Sequence, residues 1–428
     1  MTSVDVVIVG AGSAGLAAAA SLREAGRSTL VLEASALVGG RARTSRPGFL
    51  GGAWLDEGAA WLHMAEQNPI VPLAQARGIP LREAFRSESL MFIGRREANA
   101  AEHADYEAAE REWFDRLCRH PARPDVTVAA ASGPFRNENP WAPMIEAWEA
   151  GLIEAADAEA LSLADFKLNQ LDGLNLMSEQ GIGQLLRDLL EENAGEIQLN
   201  CPVTRIRWDG ARPEVETPRG TIDAGAVIVT ASVGVLAAGA IAFAPALPPH
   251  TAQAIADLPM GLLSKIVLRA RGADRLGMEA PTHLFRRIEK LGDPFLSVIA
   301  WPRGADHVIA FVGGRTAWEL ARDPAAALDL ARAEWRAMLG ETADRIFAEG
   351  GVTTDWGTDP HQLGAYTYAR SGATEARAAL SEPLAGGKLI FAGEACRIDG
   401  MAGTVGGAVL DGRRAAAIIL GREEAGHP

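Results

Sequence analysis

Residues 4–15 read VDVVIVGAGSAG, and this stretch decides the fold because an apolar run leads directly into three closely spaced glycines. Residues 4–9 are almost all β-branched, which predicts a strand buried on both faces of a parallel sheet. An alanine-rich helix is expected from Ser13 to Ala25, followed by a short strand from Ser28 to Leu32. Together these segments predict a βαβ unit.

The glycine turn is placed to bind a dinucleotide. Its glycines allow a tight turn, a close backbone approach to a pyrophosphate and close helix–strand contact, while the helix N-terminus adds free N–H groups. Glu33 ends the second strand, where a carboxylate accepts hydrogen bonds from ribose hydroxyls; a solvated strand-end carboxylate is the alternative. The residues predicted to contact the dinucleotide are Gly10, Gly12, Ser13, Ala14, Gly15, Glu33 and Ala34.

A second glycine turn favours FAD over NAD. Residues 39–43 read GGRAR and follow shortly after Glu33. They resemble the GGR motif of flavoproteins, an element that NAD-dependent enzymes lack, and the resemblance implies that the arginine region lies against the phosphates and the flavin. A solvated basic loop is the alternative for Arg41 and Arg43.

Four further segments are similar to one family. Residues 56–63 read DEGAAWLH, residues 258–265 read LPMGLLSK, residues 364–368 read GAYTY, and within 391–408 the stretch FAGE is followed by GTVGGA. With the glycine turns, they resemble the flavin-containing amine oxidase superfamily of polyamine oxidases, monoamine oxidases and lysine-specific demethylases, closest to the polyamine oxidase branch. The match covers nearly the whole cofactor domain and only thin parts of the substrate domain.

The resemblance implies further FAD contacts and a set of catalytic residues. The further contacts are Gly40, Arg41, Gly58, Ala59, Ala60, Trp61, Val203, Trp356, Gly393, Glu394, Gly403, Thr404, Val405 and Ala408. The catalytic candidates are Lys265, Tyr366, His63, Trp61 and Thr404. Lys265 is implied to hold a water against flavin N5 and to assist reoxidation by oxygen. Tyr366 and Trp61 are candidates for walls flanking the amine, and His63 for orienting the amine or taking its proton.

Two departures from the monoamine oxidases shape the expected pocket. Thr404 stands where that branch has a second cage tyrosine, which implies a more open pocket. Ala365 stands where that branch has the cysteine that binds flavin covalently, which implies dissociable FAD. Polyamines also need an anionic contact for a distal ammonium, for which Asp172 and Glu57 are the candidates.

The chain is expected to form two interleaved domains of the α/β class. A Rossmann-type FAD-binding domain (GR2-like) is assigned to residues 1–68, 195–257 and 380–428, and an α+β substrate-binding domain of mixed sheet and helices to residues 69–194 and 258–379.

Local patterns predict the elements within these domains. Residues 69–192 are interpreted as a helical insertion without strand alternation, with long helices at 97–118 and 144–165. Further predictions are strands at 201–208, 226–230 and 388–392, a second sheet between 265 and 311, a helix capped by Asp323 and ended by Gly340, and a last helix ending near Leu420.

Composition and charge narrow the function. The net charge of −14 disfavours nucleic acid as a partner and favours a cationic substrate, although solubility alone also explains such an excess of acidic residues.

Cys118, Cys201 and Cys396 show no pairing or metal-ligand spacing, which indicates a reducing cytoplasm and no metal site. No apolar run reaches the roughly 20 residues that cross a bilayer. A soluble cytoplasmic enzyme, monomer or homodimer, acting on a small amine and O2 is expected.

Three alternatives stay open. An L-amino-acid oxidase would share the fold but needs a pocket arginine for the substrate carboxylate, with Arg286, Arg287 and Arg315 as candidates. A flavin-bound interaction protein without turnover is the second. NAD-linked dehydrogenation is the least favoured.

Overall fold

Two large β-sheets organise the chain, for which a computed structural model describes residues 2–84, 89–121 and 123–421. The strands, in chain order, are β1 (Thr2–Val9), β2 (Thr29–Leu32), β3 (Thr44–Ser45), β4 (Leu55–Asp56), β5 (Leu81–Glu83), β6 (Ser89–Ile93), β7 (Arg96–Glu97), β8 (Leu176–Ser178), β9 (Glu196–Gln198), β10 (Arg205–Arg207), β11 (Glu214–Thr217), β12 (Gly220–Val229), β13 (Ala242–Ala244), β14 (Met260–Gly261), β15 (Leu263–Arg269), β16 (Thr282–Arg286), β17 (Ser297–Ala300), β18 (His307–Gly313), β19 (Val352–Thr353), β20 (Tyr366–Thr367) and β21 (Leu389–Phe391).

The helices join and flank these strands. In chain order the α-helices are α1 (Ser13–Glu24), α2 (Ile70–Ala76), α3 (Ala100–Arg119), α4 (Val128–Ser132), α5 (Phe135–Glu138), α6 (Ala142–Glu146), α7 (Leu163–Leu168), α8 (Ile182–Leu186), α9 (Glu192–Ala194), α10 (Val233–Ala237), α11 (Pro249–Asp257), α12 (Gly314–Leu320), α13 (Pro324–Leu339), α14 (Ala376–Ser381) and α15 (Val405–Ile419). Two π-helical segments, Ala147–Ile153 and Arg187–Glu191, directly follow α6 and α8.

The first sheet is built around β1, as the opening strand pattern predicts. β1 pairs in parallel with β2 on one side and with β12 on the other, and β21 extends the parallel part beyond β12. Val6, Val7 and Ile8 are completely buried because both faces of β1 are covered. The βαβ prediction is confirmed, with α1 ending one residue earlier than expected.

The second sheet is mostly antiparallel and contains a strand that the sequence did not reveal. Its order is β19-β15-β18-β17-β16-β6-β7, and β6 pairs in parallel with β16. The prediction that residues 69–192 lack strands was therefore wrong. Met91 and Phe92 of β6 are buried in this sheet, so tertiary pairing decides the conformation of a segment too short to show alternation.

Several predicted elements also differ in extent, and the strand expected at 226–230 is longer because β12 begins at Gly220. The helix expected at 97–118 begins only at Ala100, because Asn99 caps it. The helix expected at 144–165 is broken by the π-helical segment and by Ala155, whose φ of 55° cannot continue a helix. The strand expected at 201–208 is reduced to β10, while Cys201 and Val203 are buried without strand pairing.

The helix predicted between Asp323 and Gly340 matches its pattern. The Asp323 side chain accepts a hydrogen bond from Ala326 N at 3.0 Å and caps α13, which ends before Gly340. The domain boundaries stay predictions, and residues 1 and 422–428 of the predicted cofactor domain lie outside the described residues. Within the described ranges, none of the helices is both long and apolar enough to span a bilayer.

Candidate active site

One cavity of about 1420 Å³ collects the predicted site residues from distant parts of the chain. Its walls include the first glycine turn, the start of α15, the end of β4 and residues of β15 and β20. Every predicted cofactor and catalytic residue lines this cavity except Gly15. The predicted residues on its wall are Gly10, Gly12, Ser13, Ala14, Glu33, Ala34, Gly40, Arg41, Gly58, Ala59, Ala60, Trp61, His63, Val203, Lys265, Trp356, Tyr366, Gly393, Glu394, Gly403, Thr404, Val405 and Ala408.

The glycine turn leaves the N-terminus of α1 open to the cavity. Gly10 has a φ of 105°, which favours glycine. A Cβ on Gly15 would lie 2.0 Å from Gly10 O, so Gly15 serves helix–strand packing and not the cavity wall. Gly12 caps α1 without a side-chain hydrogen bond, and the first N–H groups of the helix therefore suit a pyrophosphate.

Glu33 is buried at the end of β2 and is held by backbone donors. Its carboxylate accepts hydrogen bonds from Ala11 N at 2.7 Å and from Ser35 N at 2.8 Å. These bonds orient the carboxylate on the cavity wall, and each oxygen keeps a lone pair for a ribose hydroxyl. The geometry fits the predicted nucleotide contact.

Arg41 connects the second glycine turn to the C-terminal segment. Its Nη1 donates to Glu394 Oε1 at 2.8 Å and to Ala365 O at 3.0 Å. Burial acts to raise the pKa of Glu394, but the charges of Arg41 and Arg377 outweigh it and lower that pKa, so the carboxylate is ionised. This ion pair fixes the segment that precedes α15.

Arg43 lies just outside the cavity wall, beside one of the two carboxylates suggested as the contact for a distal ammonium. Its guanidinium pairs with Glu57 and stacks on Trp356, with the guanidinium carbon 4.5 Å from the ring centroid. Trp356 Nε1 in turn donates to Glu57 O at 3.0 Å. Glu57 is thus already matched with a cation, and Asp172 is exposed and is not part of the wall.

Lys265 is a buried ammonium whose position is set by backbone carbonyls. β15 carries it to the turn after β4, where Nζ donates to Asp56 O at 2.6 Å and to Gly58 O at 2.7 Å. Burial lowers the pKa of Lys265 to about 8, with the Asp56 charge opposing that shift. An ammonium has three donors, so one remains for a water or ligand in the cavity.

Tyr366 forms a fixed aromatic wall. β20 pairs with β14, and Tyr366 Oη donates to Ile153 O at 2.7 Å. A Cβ placed on Gly403 would lie 3.5 Å from Tyr366 Cδ2, so the ring lies against the turn before α15. Burial raises the pKa of Tyr366, and the phenol stays protonated.

Trp61 and His63 occupy another part of the wall. The Trp61 ring packs at 5.9 Å from Phe311 and 6.3 Å from His63, measured between centroids. His63 Nδ1 lies 2.9 Å from Asn175 Oδ1, and burial lowers the pKa of His63. With the amide oxygen as acceptor, the neutral imidazole carries its proton on Nδ1 and leaves Nε2 as an acceptor.

Thr404 caps α15 where this helix meets the cavity. Its hydroxyl accepts from Gly407 N at 2.9 Å and donates to Met401 O at 2.8 Å. The cap fixes the helix start, and the partial positive charge of the helix is directed to the cavity at this point.

Glu154 and Arg303 are among the charged residues of the wall that sequence reasoning missed. Glu154 follows the π-helical segment, and the interpretation of 144–165 as one helix concealed it. Arg303 lies in a turn after β17, where its guanidinium carbon is 3.6 Å from the centroid of the Trp54 ring. Trp301 and Arg303 have left-handed backbone although neither is a glycine, so the sequence contains no signal for this conformation.

Comparisons with known proteins identify the family and the fold of the chain. The model of the family described as flavin-containing amine oxidoreductase matches residues 13–420. Polyamine oxidase 3 of Oryza sativa subsp. japonica is 27% identical over 96% of the chain and 88% of its own length. A lysine-specific histone demethylase 1 homolog of the same species is 28% identical but is covered over only 52% of its length. A putrescine oxidase structure superposes with a TM-score of 0.81 at 23% identity, covering 98% of this chain and 99% of that one.

Proposed function

The chain belongs to the flavin-containing amine oxidoreductase family, and we propose that it is an FAD-dependent oxidase of polyamines or related primary and secondary amines. The observation that carries the proposal is that Lys265, Tyr366 and the open start of α1 share one cavity. The predicted family and fold class are confirmed. The particular reaction and the role of each residue form the proposal.

The cavity residues fit FAD along its whole length. The start of α1 would hold the pyrophosphate, Glu33 the ribose, and the start of α15 the pyrimidine end of the flavin. Bound FAD supplies a hydride acceptor that returns electrons to oxygen, which makes an imine and hydrogen peroxide the products. The protein would orient the substrate and FAD, exclude water from the cavity and place fixed charges beside them.

The substrate must lose a proton before hydride can leave the carbon beside nitrogen. An alkylamine of pKa about 10.4 costs about 4 to 5 kcal/mol to deprotonate at neutral pH. Tyr366 and Trp61 would exclude water and lower the pKa of the amine by desolvation. His63 presents Nε2 as an acceptor and is a candidate to receive that proton.

Lys265 would act during reoxidation. Its ammonium is buried, is fixed by two carbonyl groups and retains one free donor. A fixed positive charge in a dry site stabilises negative charge that develops when electrons pass to oxygen. We also propose that FAD is bound non-covalently, and that the enzyme is cytoplasmic and is a monomer or homodimer.

A peroxide assay tests the proposal directly. Purified protein should be yellow and should release hydrogen peroxide with spermine, spermidine or simple alkylamines. Amines should also bleach the flavin under anaerobic conditions. Bound flavin that no amine bleaches would instead support the silent interaction protein.

An L-amino-acid oxidase is the second candidate, and Arg303 is the residue that favours it. Arg286, Arg287 and Arg315 lie outside the cavity and bind Glu334, Pro140 O and Asp157 respectively. Arg303 lines the cavity, and no hydrogen-bonding group in the described ranges contacts its guanidinium. Peroxide production with L-amino acids and not with amines would favour this candidate.

A further inference from the structure

Glu154 is held at the cavity by an unusual piece of helix. The π-helical segment Ala147–Ile153 ends at this residue, and Ala155 then turns the chain with a φ of 55°. Ala155 O accepts a hydrogen bond from Leu262 N at 3.0 Å, which ties the turn to the strands that carry Lys265. π-Helical turns often occur at functional sites because they redirect one side chain.

The position of Glu154 along Tyr366 is defined by two contacts. The tyrosine hydroxyl donates to Ile153 O, which immediately precedes Glu154. The opposite edge of the ring lies against Gly403, beside the start of α15. The backbone at Glu154 is therefore about one phenol length away from the end of the cavity formed by Gly403 and Thr404, and the Glu154 side chain lines the cavity close enough to act electrostatically on Tyr366.

The Glu154 carboxylate lacks a counter-charge of its own. Throughout residues 2–84, 89–121 and 123–421, no group forms a hydrogen bond or ion pair with this carboxylate. Arg377 is near enough to act on it electrostatically, but its Nε and Nη2 bind Asp165 at 2.7 and 2.8 Å. Burial raises the pKa of Glu154 to about 8, and Asp165 and Glu149 add to that rise.

The other carboxylates of the wall are already satisfied or exposed. Those that accept hydrogen bonds or pair with arginine are Glu33, Asp56, Glu57, Glu179 and Glu394. Glu83 is exposed on β5. Glu154 is partly buried on the cavity wall, where an unpaired carboxylate is destabilised as an anion, so a cationic ligand would be favoured by supplying the missing charge.

We propose that Glu154 binds a second, non-reacting ammonium group of the substrate, so that the cavity prefers diamines and polyamines to monoamines of equal chain length. This inference rests on the proposed amine oxidase function. An amine that reacts at the Gly403 end of the Tyr366 ring would direct its distal ammonium towards the hydroxyl end, where Glu154 lies. Specificity then comes from the spacing between the two nitrogens.

The test compares α,ω-diamines of increasing length with the n-alkylamines of the same lengths, using holoenzyme and kcat/KM. Wild type should prefer the diamine at one or more lengths. Glu154→Gln should reduce kcat/KM for that diamine by about 10- to 100-fold, mainly through KM, because a charge-assisted contact is lost. The ratio of kcat/KM for that diamine to kcat/KM for the monoamine of equal length should therefore fall, because only the diamine carries a second ammonium. Glu159→Gln, five residues further along on the exposed surface, is the matched control.

Glu154→Asp gives a second measurement that does not depend on losing activity. Its carboxylate is set back by one methylene, so the preferred diamine should become longer. Flavin absorbance and the thermal midpoint of each variant report whether it folds. The role of Glu154 would be overturned if Glu154→Gln kept the full diamine preference, or if wild type oxidised diamines and monoamines at equal rates. Either result would leave the oxidase proposal intact. Failure of every amine to bleach wild-type flavin would overturn both.

Discussion

At the scale of single residues, Lys265 provides the sharpest test of the proposed chemistry. Lys265→Met should keep FAD bound and should affect anaerobic reduction by amine much less than reoxidation, because methionine fills a similar volume and the proposed role of the lost charge is in the oxygen reaction. Reoxidation of the reduced enzyme by oxygen should slow by about 100-fold, since one fixed charge is lost from a dry site. Stopped-flow absorbance after mixing reduced enzyme with oxygen measures this rate.

The control for this variant is Lys290→Met, which removes an exposed lysine. It should reoxidise at the wild-type rate. If Lys265→Met also reoxidises at the wild-type rate, Lys265 has no part in the oxygen reaction.

The same lysine predicts a pH dependence. Because burial lowers the pKa of Lys265 to about 8, the side chain is charged below that pH and neutral above it. Reoxidation by wild type should therefore fall as pH rises through about 8, towards the slow rate of Lys265→Met. The variant itself should show no step in that range. A wild-type rate that is constant from about pH 7 to about pH 10 would contradict a role for the ammonium charge.

A site residue could be predicted from the sequence where it stands in a recognisable motif, and could not be predicted where no motif surrounds it. Lys265 and Tyr366 stand in recognisable segments, and both reach the cavity. Glu154 and Arg303 stand in no motif, because their positions depend on a π-helical turn and on left-handed backbone at non-glycine residues. Glu57 was suggested as the contact for a distal ammonium without its ion pair to Arg43 being foreseen. The sequence does not reveal this pair, because residues 14 apart meet only through tertiary structure.

At the scale of elements, the close crossing of α1 and α15 holds the two helix starts that face the cavity. A Cβ on Gly412 of α15 would lie 2.1 Å from Ala14 O of α1, so the helices touch backbone to backbone. Gly412→Ala should force them apart, lower the thermal midpoint by several degrees and weaken FAD binding.

Differential scanning fluorimetry and the flavin-to-protein absorbance ratio measure these two effects. Gly272→Ala is the control, because a Cβ there meets nothing within 4 Å. Normal stability and full flavin content in Gly412→Ala would show that the crossing tolerates a methyl group.

The sequence predicts elements whose signals are local and misses those that depend on partners. The βαβ unit and the Asp323 cap are visible in consecutive residues. β6 is five residues long and is defined by its pairing with β16, which is far away in the chain. The expected strand at 201–208 shrinks to three residues because only Arg205–Arg207 meets strands on both sides.

At the scale of the whole molecule, the mode of cofactor attachment is a testable property. Ala365 lies on the cavity wall and has no nucleophilic side chain, so no thioether to flavin can form at this position. Denaturation with acid or guanidinium should release all flavin into the filtrate, and the released cofactor should have the mobility of FAD in chromatography. Flavin that stays with the precipitated protein would contradict non-covalent binding.

The overall charge of the molecule should influence how fast a cationic substrate arrives. The net charge of −14 attracts polyamines over distances comparable to the Debye length, which salt shortens. Raising the ionic strength should therefore lower kcat/KM for spermidine by about tenfold and leave kcat unchanged, because encounter is affected and the bound state is not. A monoamine carries less charge, so its kcat/KM should fall less steeply over the same salt series. Equal slopes for the two substrates would show that long-range attraction has no role, and that the acidic surface serves solubility alone.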